Sequence, residues 1–153
     1  MARHAPENPL TAFDVAIALE LAIELDIYQT RDGNLVVIHD PTVDRTTNGS
    51  GRVSDMTLDE IRKLDAGQWF HPRFSGLKIP TLDEVLRIIG EKQRRPLVWL
   101  GINMKIISPG IAEKIVRLVE KYDLLKQAFG FGQPPESSRR FKIANPKMKT
   151  TVV

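Results

Sequence analysis

Short strand-like runs and amphipathic helical stretches take turns along this chain, and that rhythm constrains its fold more than any single residue does. The clearest run is 22–28, where Ile23, Leu25 and Ile27 alternate strictly with Glu24 and Asp26, the period-two pattern of a strand. Asp32-Gly33 then predicts a tight turn, and 35–38 a short, fully apolar strand. Stretches 96–105, 127–131 and 149–153 read as three further strands. Helices fall around and between them. Asn8 is expected as the N-cap of a first helix with Pro9 at its first position, and Leu10, Phe13, Ala16, Ile17 and Leu21 recur at helical spacing. Thr57 with Glu60, and Thr81 with Glu84, form the cap-and-acid pattern of capping boxes opening two more helices. Residues 109–121 predict another helix and 136–144 a weaker one, whereas 40–51 is loop. Strands alternating with helices imply parallel βαβ units. No linker or repeat interrupts 1–153, which reads as one domain.

At 153 residues the chain is long enough for one core. No apolar run approaches eighteen residues and no secretory leader opens the chain, so neither a membrane span nor export is expected. Cysteine is absent, which excludes disulfides and thiolate chemistry and fits a reducing, cytoplasmic setting. Any metal must then be held by oxygen ligands or by the three histidines. Charge is uneven. Residues 1–90 hold 9 Lys/Arg against 14 Asp/Glu, and residues 91–153 hold 13 against 5. The basic half reads either as a solvated helical face or as a phosphate-binding surface. No nucleic-acid-binding motif accompanies it, so no nucleic-acid partner is expected.

Glu24 and Asp26, two apart on a strand, project from one face about 6.6–6.8 Å apart. A parallel strand is ordinarily covered on both faces, so both acids are expected to be partly enclosed. Enclosed like carboxylates need a counter-charge. A hard divalent cation such as Mg²⁺ or Ca²⁺ would supply it, and so would a pair of arginines. His39 directly follows the apolar strand, where α/β folds place catalytic groups, and its chemistry suits proton transfer near neutrality. The competing reading is a structural histidine. His4 and His71 read as surface or packing residues.

Several stretches together resemble the glycerophosphodiester phosphodiesterase family. They are Ala22-Ile23-Glu24-Leu25-Asp26, Thr30-Arg31-Asp32-Gly33, Val36-Val37-Ile38-His39-Asp40, Asp44-Arg45-Thr46-Thr47-Asn48-Gly49, Leu64-Asp65-Ala66-Gly67 and Ile79-Pro80-Thr81-Leu82. The resemblance runs almost continuously over 5–90 and more weakly, through strand and helix rhythm, over 91–153. It implies a TIM-type (β/α) barrel with a divalent metal, Mg²⁺ or Ca²⁺, at its carboxyl end. It further implies Glu24 and Asp26 as metal ligands and His39 as one of two acid/base histidines. The implied reaction is hydrolysis of small-molecule glycerophosphodiesters to glycerol 3-phosphate and an alcohol.

The chain departs from the family pattern in four places. Its first strand, ending in His-Arg-Gly, has no counterpart, because only five residues precede Pro6 and His4 lies too close to Pro6 to stand in. A short deletion precedes Ala22. In Gly101-Ile102-Asn103-Met104-Lys105, Asn103 stands where the third metal-binding glutamate belongs, a weaker ligand, while Lys105 matches the family lysine and is a candidate phosphate contact. About five strands are expected where a closed barrel needs eight. The barrel is therefore expected to be incomplete, lacking its first strand and last units, with open edges covered by a homo-oligomer. These departures also leave open a catalytically impaired relative acting as a binding or assembly module.

Overall fold

The computed structural model describes residues 5–92 and 98–151. Five strands and five helices lie where the sequence rhythm places them, with their ends adjusted. Strand β1 (Ile23–Gln29) turns through Gly33, whose φ of +84° suits glycine, into the antiparallel β2 (Leu35–Val37). On its other side β1 runs parallel to β3 (Leu100–Met104), which is followed by β4 (Ala128–Phe131) and β5 (Lys149–Thr150). The sheet order is β2-β1-β3-β4-β5. Four strands are thus parallel, joined by crossovers, and the sheet is open. The ends of the runs expected at 96–105 and 149–153 include residues 96, 97, 152 and 153, which lie outside the described residues.

Helices α1 (Leu10–Ala18), α3 (Leu82–Lys92), α4 (Ile111–Lys121) and α5 (Glu136–Ala144) pack on one face. Their apolar sides close over Leu25, Ile27, Leu100, Ile102 and Met104, all fully buried or nearly so. Right-handed crossovers that progress in one direction along a sheet put every helix on the same side. The opposite face carries Glu24, Asp26, Gly101, Asn103, Phe129 and Phe131, in rows Glu24–Gly101–Phe129 and Asp26–Asn103–Phe131 across the strands. No helix covers it. Trp99, next along that face, is 52% exposed. The expected enclosure of both acids fails for this reason: Asp26 is buried, and Glu24 is exposed.

Residues 38–80 leave the sheet and build a second, smaller core from Val36, Ile38, Val43, Val53, Ile61 and Ile79. It includes α2 (Leu58–Lys63), opened by the expected Thr57–Glu60 capping box. The Asp65 carboxylate gathers this excursion by accepting from the backbone N–H groups of Gly67, Gln68 and Gly76 and from the Ser75 hydroxyl. Those donors hold its carboxyl far below the ordinary aspartate range. Gly67 is required here, because a Cβ would meet the Phe74 carbonyl oxygen at 1.9 Å.

Two boundaries of α1 differ from expectation. Pro9, not Asn8, is the N-cap, because its ψ of 154° is extended, while Asn8 takes the left-handed conformation at φ +69°. The helix stops at Ala18 although the apolar spacing continues to Leu21. Glu20 adopts φ +53°, and the Glu20 and Leu21 N–H groups donate back to Ile17 and Ala16, a Schellman closure without glycine. The second expected capping box does form: Thr81 and Glu84 exchange backbone-to-side-chain hydrogen bonds at 2.8 and 3.2 Å.

Candidate active site

The pairing of β1 with β3 sets Asp26 opposite Asn103. Both side chains stand on the helix-free face, and the Asn103 amide donates to Asp26 Oδ1 at 2.9 Å and reaches Glu24 Oε1 at 3.5 Å. Lys105, one residue beyond β3, is held at the strand end by its N–H bond to Ile27 O and places Nζ 3.1 Å from Asp26 Oδ1. The counter-charge of Asp26 is therefore a lysine, and among the described residues no arginine pairs with either acid. Local geometry explains this: a residue two along from Asn103 returns to the same face at the strand end, within reach of Asp26. Glu24, Asp26, Asn103 and Lys105 form one group.

His39 approaches it from the edge. The Ile38 N–H donates to the Asp26 carbonyl at 3.0 Å, which brings the next residue alongside β1. The His39 ring is more than half exposed, with Nδ1 2.7 Å from Asp40 Oδ1. Arg45 grips Asp40 through Nε at 2.6 Å and a second nitrogen at 3.1 Å, and is itself gripped by Glu7 at 2.6 and 3.1 Å. The Arg45 guanidinium is the main reason the Asp40 carboxyl is lowered to about 2. Ionised Asp40 can only accept, so Nδ1 of His39 carries the proton and Nε2 is the free nitrogen. The chain Glu7–Arg45–Asp40–His39 thus orients the ring.

Sequence reasoning did not single out Tyr28, Arg45 or Glu7. Tyr28 shares the Glu24–Asp26 face by simple alternation, and burial raises its hydroxyl pKa above the usual tyrosine value, with Lys105, Asp26 and Asp40 all close enough to act on it. Its parity on β1 could have marked it. His71 lies elsewhere, capping a single 3₁₀ turn by accepting from the Arg73 N–H. His4 is outside the described residues.

A cavity of about 360 Å³ opens at the ends of β3 and β4, lined by Asn103, Lys105, Phe131, Gly132 and Gln133. Gly132 lets the two strand ends close up, since a Cβ there would meet Met104 O at 2.5 Å. Among the described residues no group of three acids, histidines or cysteines converges as a metal centre. Two carboxylates and one amide do converge, at Glu24, Asp26 and Asn103.

The profile of the Glycerophosphoryl diester phosphodiesterase family matches residues 1–147. The chain belongs to this family. A glycerophosphodiester phosphodiesterase of Caldanaerobacter subterraneus is 50% identical over 123 residues, covering 79% of this chain and 50% of that relative. The crystal structure of the glycerophosphodiester phosphodiesterase of Agrobacterium tumefaciens superposes with a TM-score of 0.84 at 35% identity, over 97% of this chain and 61% of that one. An Oleispira antarctica phosphodiesterase, solved with the product sn-glycerol-3-phosphate, superposes at 0.77 with 25% identity, over 97% and 60%. The chain thus spans between half and about three fifths of these proteins. Its open sheet is part of the family's TIM-type barrel, as the sequence implies.

Proposed function

We propose that this chain carries the carboxylate and lysine side of a glycerophosphodiester phosphodiesterase site, hydrolysing glycerophosphodiesters to glycerol 3-phosphate and an alcohol. The observation that carries the reading is the convergence of Glu24, Asp26, Asn103 and Lys105 beside an oriented His39. Family membership and a structural neighbour holding sn-glycerol-3-phosphate support the substrate class. The cysteine-free composition favours a cytoplasmic setting.

The donor set fits a hard divalent cation. Glu24 and Asp26 offer carboxylate oxygens, and the Asn103 amide, turned about its last bond, offers Oδ1 where Nδ2 now faces both acids. Mg²⁺ or Ca²⁺ held there would neutralise and orient the phosphodiester. Two charges instead of three weaken that hold. Lys105 Nζ, on the wall of the 360 Å³ cavity, contributes a fixed positive charge toward a phosphate oxygen. In the hydrolysis, water oxygen bonds to phosphorus, the phosphorus–alcohol oxygen bond breaks, and one proton moves from the water to the departing alcohol. We assign His39 Nε2 to exchange that proton, with Asp40 holding Nδ1.

A second reading is favoured by particular observations. Asn103 replaces a carboxylate, Lys105 already pairs with Asp26, and among the described residues no histidine joins Glu24 and Asp26 in a metal-binding group. These suit a relative that binds phosphodiesters without turning them over. Phosphorus NMR of glycerophosphocholine incubated with the protein separates the two. Cation-dependent appearance of glycerol 3-phosphate, stopped by chelator, supports hydrolysis. An unchanged substrate resonance with either cation supports the binding module.

A further inference from the structure

Residues 91–153 hold 13 Lys/Arg against 5 Asp/Glu, and of those cations the candidate site uses Lys105 alone. Another part of that charge surrounds a different concavity. On the helix-bearing side of the sheet, a cavity of about 620 Å³ lies between the β1–β2 turn, the start of α3 and one side of α4. It falls within the size range of small-ligand sites and shares no lining residue with the cavity at Asn103 and Lys105. Lys114, Arg117 and Lys121 all line it, spaced i, i+3 and i+7 along α4, and Asp83 is its single acid.

The cations are committed to different degrees. Lys121 pairs with Asp83 at 2.7 Å, where the Tyr122 hydroxyl also donates, and Lys114 donates to the Gly33 carbonyl at 3.2 Å. The Arg117 guanidinium has no ion-pair partner among the described residues. Like charges on successive helical turns repel, and here three exposed cations line one open hollow. Leu35 and Leu118 supply an apolar wall. Guanidinium is the side chain whose planar donor fork best matches a phosphate.

We propose that this cleft is a binding site for a small phosphate-bearing anion, with Arg117 as its principal contact and Lys114 and Lys121 flanking it. The site is independent of the hydrolytic reading, because it lies on the other face of the sheet and uses none of those residues. Its three cations on one short stretch of α4 suit a small ligand over a nucleic-acid strand, which would need an extended basic track.

The test is a titration of the whole protein with pyrophosphate at constant ionic strength, followed by amide ¹H–¹⁵N NMR shifts. Saturable shifts at Asn34, Leu35, Arg117 and Leu118 are expected. Arg117→Gln, an exposed change, should weaken binding at least tenfold, whereas Lys142→Gln, outside the cleft, should leave it unchanged. Absence of saturation, equal affinity in Arg117→Gln, or shifts confined to Asn103 and Lys105 would each overturn the proposal. So would tighter binding of a duplex oligonucleotide that does not depend on Arg117.

Discussion

Asp26 takes an amide from Asn103 and an ammonium from Lys105 on one oxygen. The proposed cation site is accordingly limited by Asn103. Asn103→Glu restores a third carboxylate there and should tighten Mg²⁺ or Ca²⁺ binding by about tenfold or more, measured by calorimetry; unchanged affinity would count against the placement. Asp40 gives a second prediction with a definite sign. Its folded carboxyl at about 2 lies below the 3.8 of an unpaired aspartate, so its contribution to stability is complete above about pH 4 and is lost as pH falls toward 2. The urea-midpoint advantage of the native protein over Asp40→Asn should shrink across that window, and a constant difference would contradict the pairing. At this scale, what the sequence made legible was whatever obeys a short period. Glu24 with Asp26, and Asn103 with Lys105, share faces by alternation. Arg45 and Glu7 are 38 residues apart and meet only through tertiary folding, so no local signal announces them.

Elements were legible for the same reason. All five strands and five helices follow from periodicity and capping chemistry, and both capping boxes form. What escaped were terminations set by backbone conformation, as at Glu20, and the organisation of 38–80, whose apolar residues are too scattered to show a period. Asp65 is the hub of that segment. Asp65→Ala would orphan three backbone N–H groups and the Ser75 hydroxyl and should cost about 2–3 kcal/mol, since hydrogen bonds to charged acceptors are among the stronger ones. Amide exchange should accelerate within 66–77 more than in β3 or α4. Uniform acceleration, or none, would show that the excursion is held by its small apolar core instead.

Over the described residues, one-sided packing of α1, α3, α4 and α5 leaves the Glu24–Asp26 face of the sheet without a helix layer of that kind. Trp99, Phe129 and Phe131 lie on it beside the polar group, with Phe129 and Phe131 stacked at 5.8 Å. We propose that copies of this chain associate across this face, with the exposed Trp99 as the contact between them. Sedimentation should show a dimer or larger species that Trp99→Glu shifts toward monomer; a native monomer at high concentration would contradict the association. The described residues contain no helix long and apolar enough to cross a membrane. The parallel βαβ architecture was readable from strand–helix alternation, whereas its one-sided helix packing and the exposure of Glu24 were not, because the sequence rhythm does not reveal how many layers flank a sheet. The proposed phosphodiester hydrolysis runs through the β1 acids Glu24 and Asp26. The decisive measurement is therefore glycerol 3-phosphate release from glycerophosphocholine by the native protein and by Glu24→Gln, each with saturating Mg²⁺ or Ca²⁺. Glu24 is exposed and its replacement should leave the fold intact, so the account predicts cation-dependent turnover in the native protein and a loss of about a hundredfold or more in the variant. Equal turnover by both proteins would contradict it.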